Sequence, residues 1–365
     1  MKPPFEHARD GEYLWDRSGE PDADVAGLER LLAPLRWQDS ARRGAEVAVP
    51  VPRLRKRGSR RRGAYAVAAA LALAAAGLYG WHAHRMAWPE ARAWQVAGLE
   101  GHVRIDGAMV ASLDALPPRA LLETGDATVR LRAARIGEVV VGPRSRFRLV
   151  ETRSGRHRTQ LQQGTLWARV WAPPGAFGVS TPAGDVFDLG CEFVLRADGG
   201  GRGSLTVRSG WVQVDSRWRE VLVPQGTRVD FGEGGEPGIP YDLGASDGFL
   251  SALRTLDAQG RDADPGGVAM RALLAESRAQ DAISLVALLH AYPALAEGPL
   301  YERAQAIMPA DARVTRAALR ERGAHALSPW WDALPYPRIK RWWMQWPDAF
   351  AARDDARILL REDRR

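Results

Sequence analysis

Residues 161–171 read LQQGTLWARVW. From Leu166 onward the side chains alternate, with Leu166, Ala168 and Val170 on one side and Trp167, Arg169 and Trp171 on the other. Successive side chains of a strand point to opposite faces, so this spacing predicts a strand with one face in a core. The same habit recurs outward in Leu205 and Val207, Val212 and Val214, Val221 and Val223, and Val229 and Phe231. Glycine or proline punctuates the runs at Gly125, Gly137, Gly142-Pro143, Gly164, Pro173-Pro174, Gly190, Gly210 and Gly226. Short strands at such intervals indicate an all-β unit over 93–232, as a sandwich, a barrel or a short β-solenoid. Gly199-Gly200-Gly201 lacks the lysine and following helix of a phosphate loop and reads as a hairpin turn.

Beyond it, glycine, aspartate and proline crowd residues 233–267, which reads as a linker. Helical periodicity follows over 268–365, from Val268, Leu273 and Leu274 through Ile283, Leu285, Val286, Leu288 and Leu289, with breaks at Pro293, Pro299 and Pro309. Thr315 is placed to cap one of these short helices. Trp330, Trp331, Trp342, Trp343 and Trp346 crowd the end, with Arg338, Lys340 and Arg341 among them. They read either as core for a small helical unit or as a face for glycan or headgroups.

On the other side of the β unit, residues 63–81 read GAYAVAAALALAAAGLYGW, without a charge. As a helix this stretch is about 28 Å long, close to the hydrocarbon thickness of a bilayer. Arg53, Arg55, Lys56, Arg57, Arg60, Arg61 and Arg62 precede it. Positive charge on that flank predicts a transmembrane helix with 1–62 in the cytoplasm, 82–92 as a linker and the rest in the periplasm of a bacterial inner membrane. The competing reading is a buried helix. Within 1–62, Val25, Leu28, Leu31, Leu32 and Leu35 fall on one helical face. Residues 1–29 carry eight acids against three bases, so anionic lipid repels this stretch and a protein partner suits the stripe better.

The formal charge of +7 comes mostly from the basic run, with no basic stripe elsewhere, which excludes a nucleic-acid partner. Cys191 is the single cysteine, so neither an intrachain disulfide nor a cysteine-rich metal site forms. It reads as a buried, chemically silent side chain. The seven histidines show no metal spacing; His82 and His84 merely flank the apolar run. No catalytic triad or metal motif stands out, and Asp185 and Asp188 are a poor candidate for a paired-carboxylate site. No catalytic residue, cofactor or metal is expected, and the chain is not read as an enzyme.

Several short motifs recur in order: Val139-Val140-Val141-Gly142-Pro143 with Ser145, Leu161-Gln162-Gln163-Gly164, Phe177-Gly178-Val179-Ser180-Thr181-Pro182, Val186 to Val194, and Leu205 to Val214. In these the chain resembles the FecR-type domain of ferric-citrate-regulator-like transmembrane signalling proteins, over about 93–232. Leu14-Trp15-Asp16 and the leucine-rich helix resemble the cytoplasmic end of such proteins. Leu189-Gly190-Cys191 stands where the family has Leu-Gly-Thr, and the helical C-terminal unit departs from the mixed α/β domain of its receptor-coupled members. The resemblance implies anti-sigma signalling. A sigma factor would be held through Leu14, Trp15, Val25, Leu28, Leu31, Leu32 and Leu35, with a periplasmic protein or ligand as the signal. The alternative is a membrane-anchored binding or scaffolding module that holds no sigma factor.

Overall fold

The computed structural model describes residues 23–33 and 58–336. The chain divides into two units, 1–67 and 68–365. In the first lies α1 (Ala23–Leu32). Helix α2 (Gly58–Met86) runs unbroken for 29 residues across the division. Among the described residues, no helix is long and apolar enough to cross a membrane. That finding overturns the expected multidomain membrane protein: the transmembrane helix at 63–81, the inner-membrane location, and the cytoplasmic and periplasmic sides assigned from it. The failure lies in apolarity. Nine of the nineteen residues in 63–81 are alanine, and only Val67, Leu71, Leu73 and Leu78 are larger aliphatics. Alanine is the best helix former, which accounts for α2. It offers one side-chain carbon where leucine offers four, and each buried carbon is worth about 0.8 kcal/mol.

The second unit opens with the β-rich part. Its strands are β1 (Trp94–Glu100), β2 (Val103–Ile105), β3 (Ala108–Val110), β4 (Ala115–Leu116), β5 (Leu121–Glu123), β6 (Thr128–Ala133), β7 (Gly137–Val141), β8 (Arg146–Arg153) and β9 (Arg156–Val170). They continue with β10 (Phe177–Thr181), β11 (Gly184–Asp188), β12 (Glu192–Ala197), β13 (Gly203–Ser209), β14 (Trp211–Asp215), β15 (Glu220–Pro224), β16 (Thr227–Phe231) and β17 (Tyr241–Asp242). All but β4, which pairs with β1, form two sheets that share β9. Its first half pairs with β8 and, in parallel, with β10, matching Phe177 to His157. Its second half pairs with β7 and β12, matching Val139 to Ala168 and Phe193 to Ala168. One sheet runs β1-β6-β7-β9-β12-β13-β16-β17 and the other β3-β2-β5-β8-β9-β10-β11-β14-β15.

The changeover between sheets falls at Gly164, with φ +103°. A Cβ there would sit 2.1 Å from Ser145 Oγ, so only glycine admits the contact. Ser145 Oγ accepts the Thr165 amide hydrogen at 3.0 Å, which ties two of the sequence motifs together. Leu166, Ala168 and Val170 are fully buried between the sheets with Trp94, Phe147, Phe177 and Phe193. The alternation that predicted a strand is the alternation that fills this core. Gly199-Gly200-Gly201 lies in the β12–β13 turn, where the Asp198 carboxylate accepts the amides of Gly200 and Arg202.

The helices that follow are α3 (Asp247–Gln259), α4 (Val268–Glu276), α5 (Ala282–Ala291), α6 (Pro299–Ile307), α7 (Arg316–Arg322) and α8 (Ser328–Ala333). Helix α3 occupies residues expected to form a linker. Ser246 caps it by accepting the Phe249 amide, and Phe249, Ala252, Leu253 and Leu256 are buried on one face. Thr315 caps α7 in the same way, through the Ala318 amide. Helix α5 is buried from Ala282 to Leu289. Trp330 is fully buried; its indole N–H donates to the Ala312 carbonyl at 2.9 Å and its ring lies 5.7 Å from that of Tyr301.

Candidate functional site

Helix α1 carries the residues expected to dock a partner. A helix of ten residues is marginal alone in water, and its stability ordinarily comes from what covers its apolar face. Leu28 and Leu32 are one turn apart, and 59% and 53% exposed. Val25 and Leu31 belong to the same helix. Leu14, Trp15 and Leu35 lie outside the described residues. So do Arg53, Arg55, Lys56 and Arg57 of the basic run, whereas Arg60, Arg61 and Arg62 belong to the first turns of α2. The structure thus places two of the predicted leucines together in solvent at helical spacing.

The β core holds titratable groups that the function read from sequence did not use. Asp188 is fully buried at the end of β11. It accepts the Gly190 amide at 3.1 Å and the thiol hydrogen of Cys191. Burial pushes its carboxyl up to about 7, against the pull of those hydrogen bonds. Burial likewise pushes the Cys191 thiol up, and the neighbouring Asp188 adds to it. A thiol held in that state is a poor nucleophile. Asp185 points the other way from Asp188, into solvent, as an odd separation on one strand requires. The two carboxylates are therefore not a pair. In the same sheet, two strands away on β9, His157 is hydrogen-bonded through Nδ1 to Thr152 Oγ1 at 2.8 Å, and Thr152 Oγ1 accepts the Trp94 indole N–H at 3.0 Å. Burial, with Arg158 beside it, brings His157 down to about 4.

Polar groups also line the seam where the β part meets the helices. Arg219 donates to Asp257 on α3 at 2.9 Å and to Glu236 at 3.2 Å, and the Tyr292 hydroxyl donates to Asp257 at 2.7 Å. Asp230 on β16 accepts from Arg228, from the Tyr241 hydroxyl at 2.8 Å and from Arg254 of α3 at 3.2 Å. Burial alone would raise Asp230; the bonds from Arg228 and Tyr241 hold it below the usual carboxylate range. Arg278 joins Asp242 of β17 to the fully buried Asp281. Ser284 of α5 donates to the Pro240 carbonyl at 2.8 Å. Most of these bonds join positions distant along the chain and leave no local sequence signal; the exceptions, Arg228 to Asp230 and Arg278 to Asp281, span two and three residues. Among the described residues, no group of three or more His, Cys, Asp or Glu side chains could hold a metal ion.

No protein-family model matches the chain, and no curated protein does. Two crystal structures, each of a candidate anti-sigma factor from Parabacteroides distasonis, match part of it. One is 18% identical with a TM-score of 0.30, covering 36% of this chain and 63% of that chain. The other is 20% identical with a TM-score of 0.26, covering 36% of this chain and 58% of that chain. This chain thus spans about three fifths of the length of the structures it matches. The similarity extends over about a third of the chain, and at these scores it decides neither fold nor function.

Proposed function

We propose that the chain is a regulator of the anti-sigma type, in which α1 docks on a sigma factor and the unit after it takes up a signal. The observation that carries this reading is the exposed pair Leu28 and Leu32 on a ten-residue helix. An amphipathic helix so short gains most of its stability by laying its apolar face in a partner's groove. The acidic character of residues 1–29 makes a basic or neutral protein groove a better host than anionic lipid. The sequence resemblance to FecR-type domains supports the choice of partner. Its motifs lie on β7, β9, β10, β11 to β12, and β13 to β14, around one core.

Burying two leucines contributes about 3–6 kcal/mol before ordering costs. The test is co-purification of the tagged full chain with the sigma factors of its own cell. A sigma factor should be retained by the unmodified chain and lost from the Leu28→Asp, Leu32→Asp double variant. Absence of any sigma factor, or retention by both chains, would overturn the reading.

A further inference from the structure

A cleft of about 560 Å3 opens where β15, residues 238–240, the end of α5 and α8 meet. That is the size of an ordinary small-molecule site. On β15, Val221 and Val223 turn into the β core, which sends Glu220 and Leu222 to the opposite face. Leu222, Ile239 and Ala287 give the cleft an apolar lining. Trp331, next to the buried Trp330, is only partly buried and lines the cleft, with His290 perpendicular to it at 6.0 Å.

The charges of the lining have one dominant sign. Glu220 and Asp332 are both exposed on the cleft walls. Among the described residues the lining holds one arginine, Arg219, which is already engaged by Asp257 and Glu236, so its charge is more than balanced. Burial, with His325 nearby, holds His290 below the ordinary histidine range, so it adds no positive charge at neutral pH. Among the described residues, an anion would meet one guanidinium, which keeps a buried Nη1 without an acceptor but is already flanked by Asp257 and Glu236, and two further carboxylates, Glu220 and Asp332. An ammonium group would find the carboxylates of Glu220 and Asp332 in the same lining as the indole ring of Trp331, whose face attracts cations.

We propose that this cleft binds a small organic cation, its ammonium group at Glu220 and Asp332 and its aryl or alkyl body against Trp331 and Leu222. Binding as such stands apart from sigma-factor regulation; only the identification of such a cation as the signal rests on that reading.

A charge series of matched shape tests it: 2-phenylethylamine, 2-phenylethanol and 3-phenylpropionate, each titrated calorimetrically into the full chain. The amine should bind about tenfold more tightly than the alcohol, the equivalent of one cation–π contact plus a screened charge pair, and the acid should not bind. Glu220→Gln with Asp332→Asn should erase the preference for the amine while the alcohol still binds. Trp331→Ala should weaken the amine by about tenfold or more. Should Trp331→Ala prove unfolded in a melt, the carboxylate double variant carries the test, since both of its positions are exposed. Equal binding of the three compounds, binding of none, or an amine affinity unchanged in the double variant would each overturn the proposal. No sigma factor enters the assay, so its failure and the failure of the anti-sigma reading are separate results.

Discussion

Asp188 in the β core and Asp281 at the start of α5 are both fully buried, yet they are kept in different ways. Asp281 accepts from the Arg278 guanidinium at 2.7 and 3.0 Å and from its backbone amide at 2.7 Å. Asp188 accepts from the Cys191 thiol and from the amides of Gly190 and Cys191, with no cation bonded to it among the described residues. A buried carboxylate keeps its charge only when a positive partner repays its lost hydration; otherwise it takes up a proton. The helical part therefore holds its buried acid as half of an ion pair. The β part holds its own with the carboxyl raised to about 7, so that it stays protonated in mildly acidic solution.

Breaking the ion pair gives the largest expected effect. Arg278→Met strands Asp281 and also removes the bond to Asp242, which should cost about 3–5 kcal/mol in a thermal or urea melt. A loss below about 1 kcal/mol, the scale of an exposed ion pair, would mean that the buried carboxylate does not depend on Arg278.

Asp188→Asn probes the other environment. Its folded carboxyl lies near 7, above the unfolded value of about 3.9, so the folded state holds the proton longer. Stability from this group is full below the unfolded value and is lost as pH rises toward 7. Between pH 5 and pH 8 the loss is about 3 kcal/mol, and the asparagine variant should be free of it. His157 works in the opposite sense. Its folded value near 4 lies below the unfolded one, so its contribution is lost as pH falls from about 6.5 to 4. The measurement is therefore the difference between parent and variant at each pH, which cancels the histidine. A difference constant from pH 5 to pH 8 would mean that Asp188 is ionised throughout.

Neither carboxylate environment was legible in the sequence, and the reason is general to this chain. The alternation of Leu166, Ala168 and Val170 is a local property and located a strand. That the same strand enters two sheets depends on its pairing with Phe177 and Val139, which no local pattern records. Helix α3 was readable and missed: Ser246 followed by Phe249, Leu253 and Leu256 is a cap and an apolar face, hidden by the glycines and prolines around it. At 63–81 the lack of charge was read as apolarity, although alanine supplies helix propensity with little hydrophobic surface. The 560 Å3 cleft draws on four separate segments, so only the fold assembles it.

Cys191→Ser sharpens the picture of Asp188. A serine hydroxyl keeps a donor toward the carboxylate but loses the sulfur's packing, and the cost should be about 1 kcal/mol, with no change in oligomeric state. The parent thiol, buried and held above its ordinary value, should react with a thiol reagent only as fast as the β core opens. Rapid labelling of the native chain would contradict that burial.

The smallest expected effect on stability is that of the Leu28→Asp, Leu32→Asp double variant, which sets carboxylates in a third environment. Both positions are more than half exposed, so the new charges keep their hydration and need no partner. Substitutions of this kind ordinarily stay within about 0.5 kcal/mol. The melt of the full chain should be unchanged at pH 7, while retention of a sigma factor, if α1 is the docking helix, should be lost. These two readouts separate what the leucines do for the fold from what they do for a partner. A melt lowered by 2 kcal/mol or more would place the leucines against this chain's own surface, and α1 would then be part of its core.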